Sequence, residues 1–240
     1  VNSSDSTDHA EIYLSVGADF IIYGEGEETL GELIDHLAKS SEMPIDINGL
    51  KYKSTNGLVK TAKRNVLKTI DDLPTPAWDL IDMQEYKDRW IASSNYFSLN
   101  LSTTRGCPFH CNWCAKPIYG NRYNVHSPQR IVNEIKFLQE KYGANHFWMT
   151  DDIFGLKPGW TKEFADLVQA SDLKFNFKIQ SRADLLTNDN TISDLARAGC
   201  EIVWMGAESG SQKVLDAMDK GIKVEQIYEA SDGLKKAGVK

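Results

Sequence analysis

Apolar positions along the chain fall into two kinds of segment, short near-continuous runs and stripes at helical spacing, and they alternate. Asp19-Phe20-Ile21-Ile22-Tyr23 is an almost unbroken apolar run, as expected of a strand buried on both faces. After the turn Gly24-Glu25-Gly26-Glu27-Glu28, the residues Leu30, Leu33, Ile34 and Leu37 recur at helical spacing and predict a helix over Thr29–Ala38. One β–α unit cannot cover its own sheet, so its partners are expected upstream of residue 1 or to be missing. Leu50–Lys53 and Leu58–Thr61 flank Ser54-Thr55-Asn56-Gly57, a hairpin signal. Leu73-Pro74-Thr75-Pro76-Ala77-Trp78 breaks all periodicity with its prolines and predicts an interdomain linker. The expected divisions are 1–40, a hairpin-and-linker segment 41–96, and 97–240.

From residue 97 strands and helices alternate regularly. Strands are predicted at Phe97–Thr104, His146–Thr150, Phe175–Ser181 and Glu201–Ala207. Helices are predicted from Ser127-Pro128 onward, over Trp160–Ala170 and Ile192–Ala198, then at Gln212–Asp219 and Val224–Ala237. Four βα units with short loops imply a parallel sheet with right-handed crossovers. Asn176, Lys178, Gln180 and Arg182 share one strand face, and Ser98, Asn100, Ser102 and Thr104 share another. A doubly wound sheet would bury such polar faces under helices. The pattern therefore predicts an α/β fold of partial (β/α)-barrel type whose polar interior holds a ligand. A further strand is expected where the chain stops, and Val1 with the abrupt end at Val239-Lys240 reads as a chain cut at both ends.

Composition changes this picture little. The chain has 240 residues and a net charge of -7, which argues against a generic nucleic-acid or anionic-membrane surface. Its apolar runs fall short of the roughly 20 residues that span a bilayer, and its start has no signal-peptide pattern, so a cytoplasmic location is expected.

The cysteines change it a great deal. Of 4 in the chain, three stand at Cys107-x-x-x-Cys111-x-x-Cys114, just after a predicted strand, where barrel active sites are built. A [4Fe–4S] cluster takes four thiolates. With three nearby, one iron stays open to a non-protein ligand. A structural zinc site would need a second ligand pair, and His110 lies inside the first cysteine gap. An electron-carrier module would use tighter spacing and a fourth cysteine, whereas Cys200 opens an apolar strand and reads as core. The spacing favours the open cluster; a non-catalytic iron–sulfur or zinc module is the alternative.

Arg105-Gly106-Cys107-Pro108-Phe109-His110-Cys111-Asn112-Trp113-Cys114 resembles the cluster loop of radical S-adenosylmethionine (SAM) enzymes. Thr150-Asp151-Asp152-Ile153-Phe154, Ser181-Arg182-Ala183-Asp184 and Gly206-Ala207-Glu208-Ser209-Gly210-Ser211 are similar to segments of the cobalamin-dependent branch, as are the Gly24-Glu25-Gly26-Glu27 unit and the proline linker. The resemblance implies that 1–40 is the end of a Rossmann-like cobalamin-binding domain and 97–240 a radical SAM core. It implies that Cys107, Cys111 and Cys114 hold a [4Fe–4S] cluster whose open iron binds SAM, and that reductive SAM cleavage gives a 5′-deoxyadenosyl radical. Methyl transfer to an unactivated carbon from methylcobalamin, or ring formation, would follow. A methylthiotransferase is the second enzymatic reading. An electron donor such as flavodoxin or ferredoxin and a small-molecule or peptide substrate are further implications.

Charge type and position suggest the SAM contacts. Asp151 and Asp152 can accept from the SAM ammonium, or one of them can cap locally. Arg182 offers a planar fork to the SAM carboxylate, or forms a salt bridge. Glu208 and Ser209 can bind ribose hydroxyls, or cap the next helix. Trp113 can pack beside adenine or shield the cluster. Two departures stand out: no D-x-H-x-x-G cobalt-ligand signature occurs, and Asn124-Val125-His126 stands where many relatives carry Arg-x-Arg.

Overall fold

A computed structural model describes residues 1–116 and 118–240 and divides the chain into two compact units, Val1–Lys68 with Ala115–Arg122, and Thr69–Cys114 with Tyr123–Lys240. The first contains helices α1 (Ser4–Asp8) and α2 (Ala10–Ser15), strand β1 (Phe20–Ile22), helix α3 (Glu27–Lys39) and strands β2 (Leu50–Ser54) and β3 (Gly57–Lys60). The expectation that β1 lacks a partner within this chain is corrected here. It pairs antiparallel with β2, Phe20 opposite Tyr52 and Ile22 opposite Leu50, and β2 pairs in turn with β3. Ile21 and Ile22 are both buried, and the hairpin that supplies the sheet also supplies Leu50 and Tyr52 to one core with Leu33 and Ile47. Ser54 pairs with Gly57, so Thr55-Asn56 make the turn, and Gly57 takes φ +109°, a conformation open to glycine. Helix α3 starts at Glu27, two residues earlier than its apolar stripe suggests, with Glu27 and Glu28 in the first turn, where the helix dipole favours carboxylates.

The second unit runs through two short 3-10 turns, Ile70–Asp72 and Trp78–Leu80, into helix α4 (Met83–Ser94). Strands β4 (Ser98–Leu101), β5 (Thr104–Arg105) and β6 (Asn124–Val125) follow, then α5 (Pro128–Tyr142), β7 (His146–Met149), α6 (Trp160–Ala170) and β8 (Asn176–Ser181). Helices α7 (Ala183–Leu186) and α8 (Thr191–Arg197), strand β9 (Cys200–Met205) and helices α9 (Gln212–Ala217) and α10 (Val224–Lys236) complete it. The start of α5 is set as its sequence suggests: the Ser127 side chain accepts from the Arg130 N–H, Pro128 occupies the first turn, and Gly143 closes the far end in the left-handed region.

The main sheet has the order β4-β7-β8-β9, every pair parallel. One face carries Leu99, Leu101, Phe147, Met149, Phe177, Ile179 and Val203, all in the core with apolar residues of α5, α6 and α8. The opposite face carries Asn100, Trp148, Lys178, Gln180 and Trp204, exposed or half-buried. This face is less uniformly polar than the strand pattern predicts. Trp148 and Trp204 meet edge to face at 5.1 Å, and the Lys178 ammonium lies 4.5 Å and 5.3 Å from their ring centres. Ser98, assigned to the same open face, is buried because its hydroxyl bonds His146 Nδ1 at 2.9 Å. At the free edge of β9 the Lys240 N–H donates to Glu201 O and its carbonyl accepts from Val203 N–H, the bonding of a parallel strand. Cys200 is core, as its place in the strand suggests, and burial pushes its thiol up to about 12.

The tightest approach in the sheet is at Gly199, which enters β9 with φ +96°, and a Cβ there would lie 2.4 Å from the Phe175 carbonyl oxygen. Gly199→Ala must both strain the backbone and push β8 away. The expected cost is about 2–3 kcal/mol in chemical denaturation. A loss under about 0.5 kcal/mol would show that the β8–β9 junction is slack.

Candidate functional site

The cysteine segment leaves the sheet at the C-terminal end of β4 and returns through β6. Its base is closed by the short antiparallel pairing of Thr104 with Val125 and Arg105 with Asn124. Asp151, at the end of β7, fixes the departure point. Its carboxylate accepts from the Thr103 N–H at 2.7 Å, the Thr104 N–H at 2.8 Å and the Thr103 hydroxyl at 2.5 Å. Burial pushes its acidity to about pKa 6 against the lowering effect of those donors. Tyr123 is pushed up to about 12, chiefly by burial and further by the Asp151 charge. Of the two adjacent aspartates, then, Asp151 serves the fold, while Asp152 is exposed.

Beyond Gly106 the loop is tied at its middle. The Cys114 N–H donates to Cys111 O at 3.1 Å. The Asn112 N–H donates to Met218 O at 3.1 Å, and Asn112 Nδ2 to Ala217 O at 2.7 Å, docking the loop on the end of α9. None of the four cysteines is in a disulfide. Among the described residues no three His, Cys, Asp or Glu side chains converge as they would around a single metal ion. A cubane asks for a different arrangement, because each thiolate binds its own iron. Three thiols on one docked loop, with a buried guanidinium beside the middle one, have the donor chemistry such a cluster takes.

That guanidinium is Arg182, at the end of β8. Its side chain is 6% exposed, and Nε and Nη2 donate to the two Asp184 oxygens at 2.9 and 3.1 Å. Nη2 also donates to Lys220 O at 2.8 Å, Nη1 points at Cys111 Sγ from 3.9 Å, and the guanidinium carbon lies 3.6 Å from the centre of the Phe109 ring. The fork expected to meet the SAM carboxylate is thus occupied by Asp184, because a buried cation needs a partner and Asp184 is two residues away.

Glu208 is likewise engaged. It takes φ +60°, unusual for a residue with a Cβ, and its Oε1 accepts from buried Lys220 Nζ at 2.8 Å. A Cβ at Gly206 would come within 2.9 Å of that ammonium and 3.0 Å of that carboxylate oxygen, so glycine leaves the room for the pair. Ser209 Oγ accepts from the Ser211 N–H at 3.1 Å. Trp113 is 54% exposed, with Lys220 Nζ 5.9 Å from its ring centre. In the segment that departs from Arg-x-Arg, His126 Nδ1 lies 2.9 Å from Asp71 Oδ1, and burial pulls its pKa down despite that carboxylate. Sequence reasoning missed Thr103, Thr104, Phe109, Asp184 and Lys220. The usable signals were the Arg182-x-Asp184 spacing and the aromatic residue inside the first cysteine gap.

The chain matches the Radical SAM superfamily over residues 101–240, which takes in the cysteine loop and strands β7, β8 and β9. It belongs to the radical SAM superfamily. A methyltransferase of Pyrococcus horikoshii whose role is uncharacterized is 31% identical over 222 residues, 92% of this chain and 47% of that protein. The anaerobic magnesium-protoporphyrin IX monomethyl ester cyclase of Synechocystis is 26% identical over 88% of this chain and 42% of its own length. Among solved structures, the cobalamin-dependent SAM radical enzyme OxsB with aqua-cobalamin bound superposes with a TM-score of 0.79 at 22% identity, over 100% of this chain and 35% of that one. The radical SAM methyltransferase TsrM of Kitasatospora setae gives 0.74 at 19% identity, over 92% and 44%. These two likenesses show the radical SAM fold. The chain spans under half the length of each of these relatives.

Proposed function

We propose that this chain is the SAM-cleaving part of a radical SAM enzyme, and that the whole protein is a cobalamin-dependent methyltransferase or cyclase acting on an unactivated carbon. The observation that carries the reading is the cysteine loop, docked at the C-terminal end of a parallel sheet with Arg182 against Cys111. Cys107, Cys111 and Cys114 would hold a [4Fe–4S] cluster, which when bound supplies the electron that breaks the SAM sulfonium. Within this chain, the Asp151 ties shape the root of the loop, and the Asn112 ties seat its middle on α9. Asp152 is the carboxylate left to accept from the SAM ammonium. Ser209 and Glu208 would accept from ribose hydroxyls, with Lys220 holding the Glu208 carboxylate in place. Lys178, Gln180, Trp148 and Trp204 form the open sheet face on which a substrate can rest. Relatives named as methyltransferases and cyclases support the reaction class; the β1–α3 unit supports the cobalamin domain through its Gly24-Glu25-Gly26-Glu27 resemblance.

Anaerobic reconstitution with iron and sulfide, then addition of SAM and dithionite, tests the reading. The expected result is a cluster whose electron paramagnetic resonance signal changes on adding SAM, with 5′-deoxyadenosine accumulating. A chain that takes zinc in preference, or holds a cluster indifferent to SAM, would overturn it.

A further inference from the structure

We propose that Arg182 is a positioning residue of the cluster loop that raises the reduction potential of the cluster through Phe109 and Cys111; this rests on the reading that Cys107, Cys111 and Cys114 hold that cluster. Four contacts converge on one buried guanidinium. Asp184 and the Lys220 carbonyl fix its plane, with Nε, and Nη2 twice, as donors at 2.8–3.1 Å. That plane stacks on Phe109 at 3.6 Å, and Phe109 lies inside the first cysteine gap. Nη1 is left pointing at Cys111 Sγ, 3.9 Å away.

Each contact has a consequence. The stack sets the path of the chain between Cys107 and Cys111, since a buried cation over the half-buried Phe109 ring resists displacement. An N–H aimed at a thiolate sulfur, with a positive charge behind it, stabilises the more negative, reduced state of whatever that sulfur ligates. Arginine suits both tasks because one planar group can stack and donate at once, which an ammonium cannot do. Asp184 pairs with Nε and Nη2 and leaves Nη1 and its share of the cationic charge toward the loop, which explains why a guanidinium can be this deeply buried at the end of β8.

The test is a redox titration of the reconstituted chain, followed by electron paramagnetic resonance, for the wild type, Arg182→Gln, Arg182→Lys and Phe109→Leu. Arg182→Gln is expected to shift the reduction equilibrium toward the oxidised cluster at least tenfold, about 59 mV for one electron. Arg182→Lys keeps the charge and loses the fork, and should recover part of the shift. Phe109→Leu keeps the fold and loses the stack; it carries the test if Arg182→Gln does not fold, and a smaller shift in the same direction is expected. A loop tie with no electronic role would lower iron uptake or melting temperature while leaving the potential of the bound cluster unchanged. Unchanged potentials in variants that hold the cluster overturn this proposal alone. A wild-type chain that holds no cluster overturns it together with the proposed function.

Discussion

Alanine at Cys107, Cys111 or Cys114 is expected to bring reconstituted iron close to zero in each single variant, whereas Cys200→Ala should load as the wild type does. The asymmetry follows from placement. Cys107, Cys111 and Cys114 stand on one loop at the end of the sheet and are exposed or half-buried, while Cys200 is sealed in the core with its thiol pushed up to about 12. The thiolate is the ligand form, and a thiol held that high offers none near neutrality. A cluster held by three cysteines would already be one protein ligand short of four, with none to spare. Iron analysis and absorbance of the four variants decide it. Wild-type loading in any of the three loop variants would remove that cysteine from the ligand set.

The second large effect is expected at Asp151. Asp151→Ala strips the acceptor from two buried backbone N–H groups, those of Thr103 and Thr104, and from the Thr103 hydroxyl. The expected loss is about 2–4 kcal/mol in chemical denaturation at neutral pH. Asp151→Asn can keep one oxygen on both N–H groups and turn its amide toward the hydroxyl, so it should lose far less. The two differ from wild type in pH response. Burial raises the folded Asp151 to about 6, above the usual carboxylate range near 3.9, so the folded state binds the extra proton between those values. Its contribution is therefore full below about pH 4 and is lost as pH rises through 6. Lowering the pH from 7.5 to 5 should stabilise the wild type relative to Asp151→Asn by about 1–2 kcal/mol. Taking the difference cancels His126 and His146, whose burial-lowered values act in the opposite direction as pH falls. A flat difference would mean that Asp151 stays ionised throughout.

Local signals were legible where one rule governed a segment. Trp160–Ala170 carries a clean apolar stripe and forms the helix over those residues, and Ser127-Pro128 opens α5 as a cap should. Helix α4 was missed because it has a weak stripe, buries Met83 alone, and follows a proline-rich stretch that reads as linker. The partner of β1 was missed for a different reason. A continuous apolar run reports burial on both faces, typical of parallel strands, and it does not say which strand lies alongside; here the neighbour is the antiparallel β2. In the site, the cysteine spacing identified the loop, but residue type could not say which charges were already spent. Arg182 was weighed between the SAM carboxylate and a salt bridge, and Glu208 between ribose hydroxyls and a helix cap; in the fold each meets a countercharge, Asp184 and Lys220. A one-dimensional reading sees a charge; it does not see the countercharge that folding brings to it.

The Asp151 ties also bear on the order of maturation. They join residues 47 and 48 positions apart in sequence, across β4 and β7. The root of the cysteine loop is thus shaped only after those two strands have paired. Iron and sulfide would arrive at a scaffold already built, the reverse of small metal-nucleated domains in which the ion drives the chain to fold. On the proposed reading, a chain with an intact sheet and no cluster would be the form that takes up iron and sulfide.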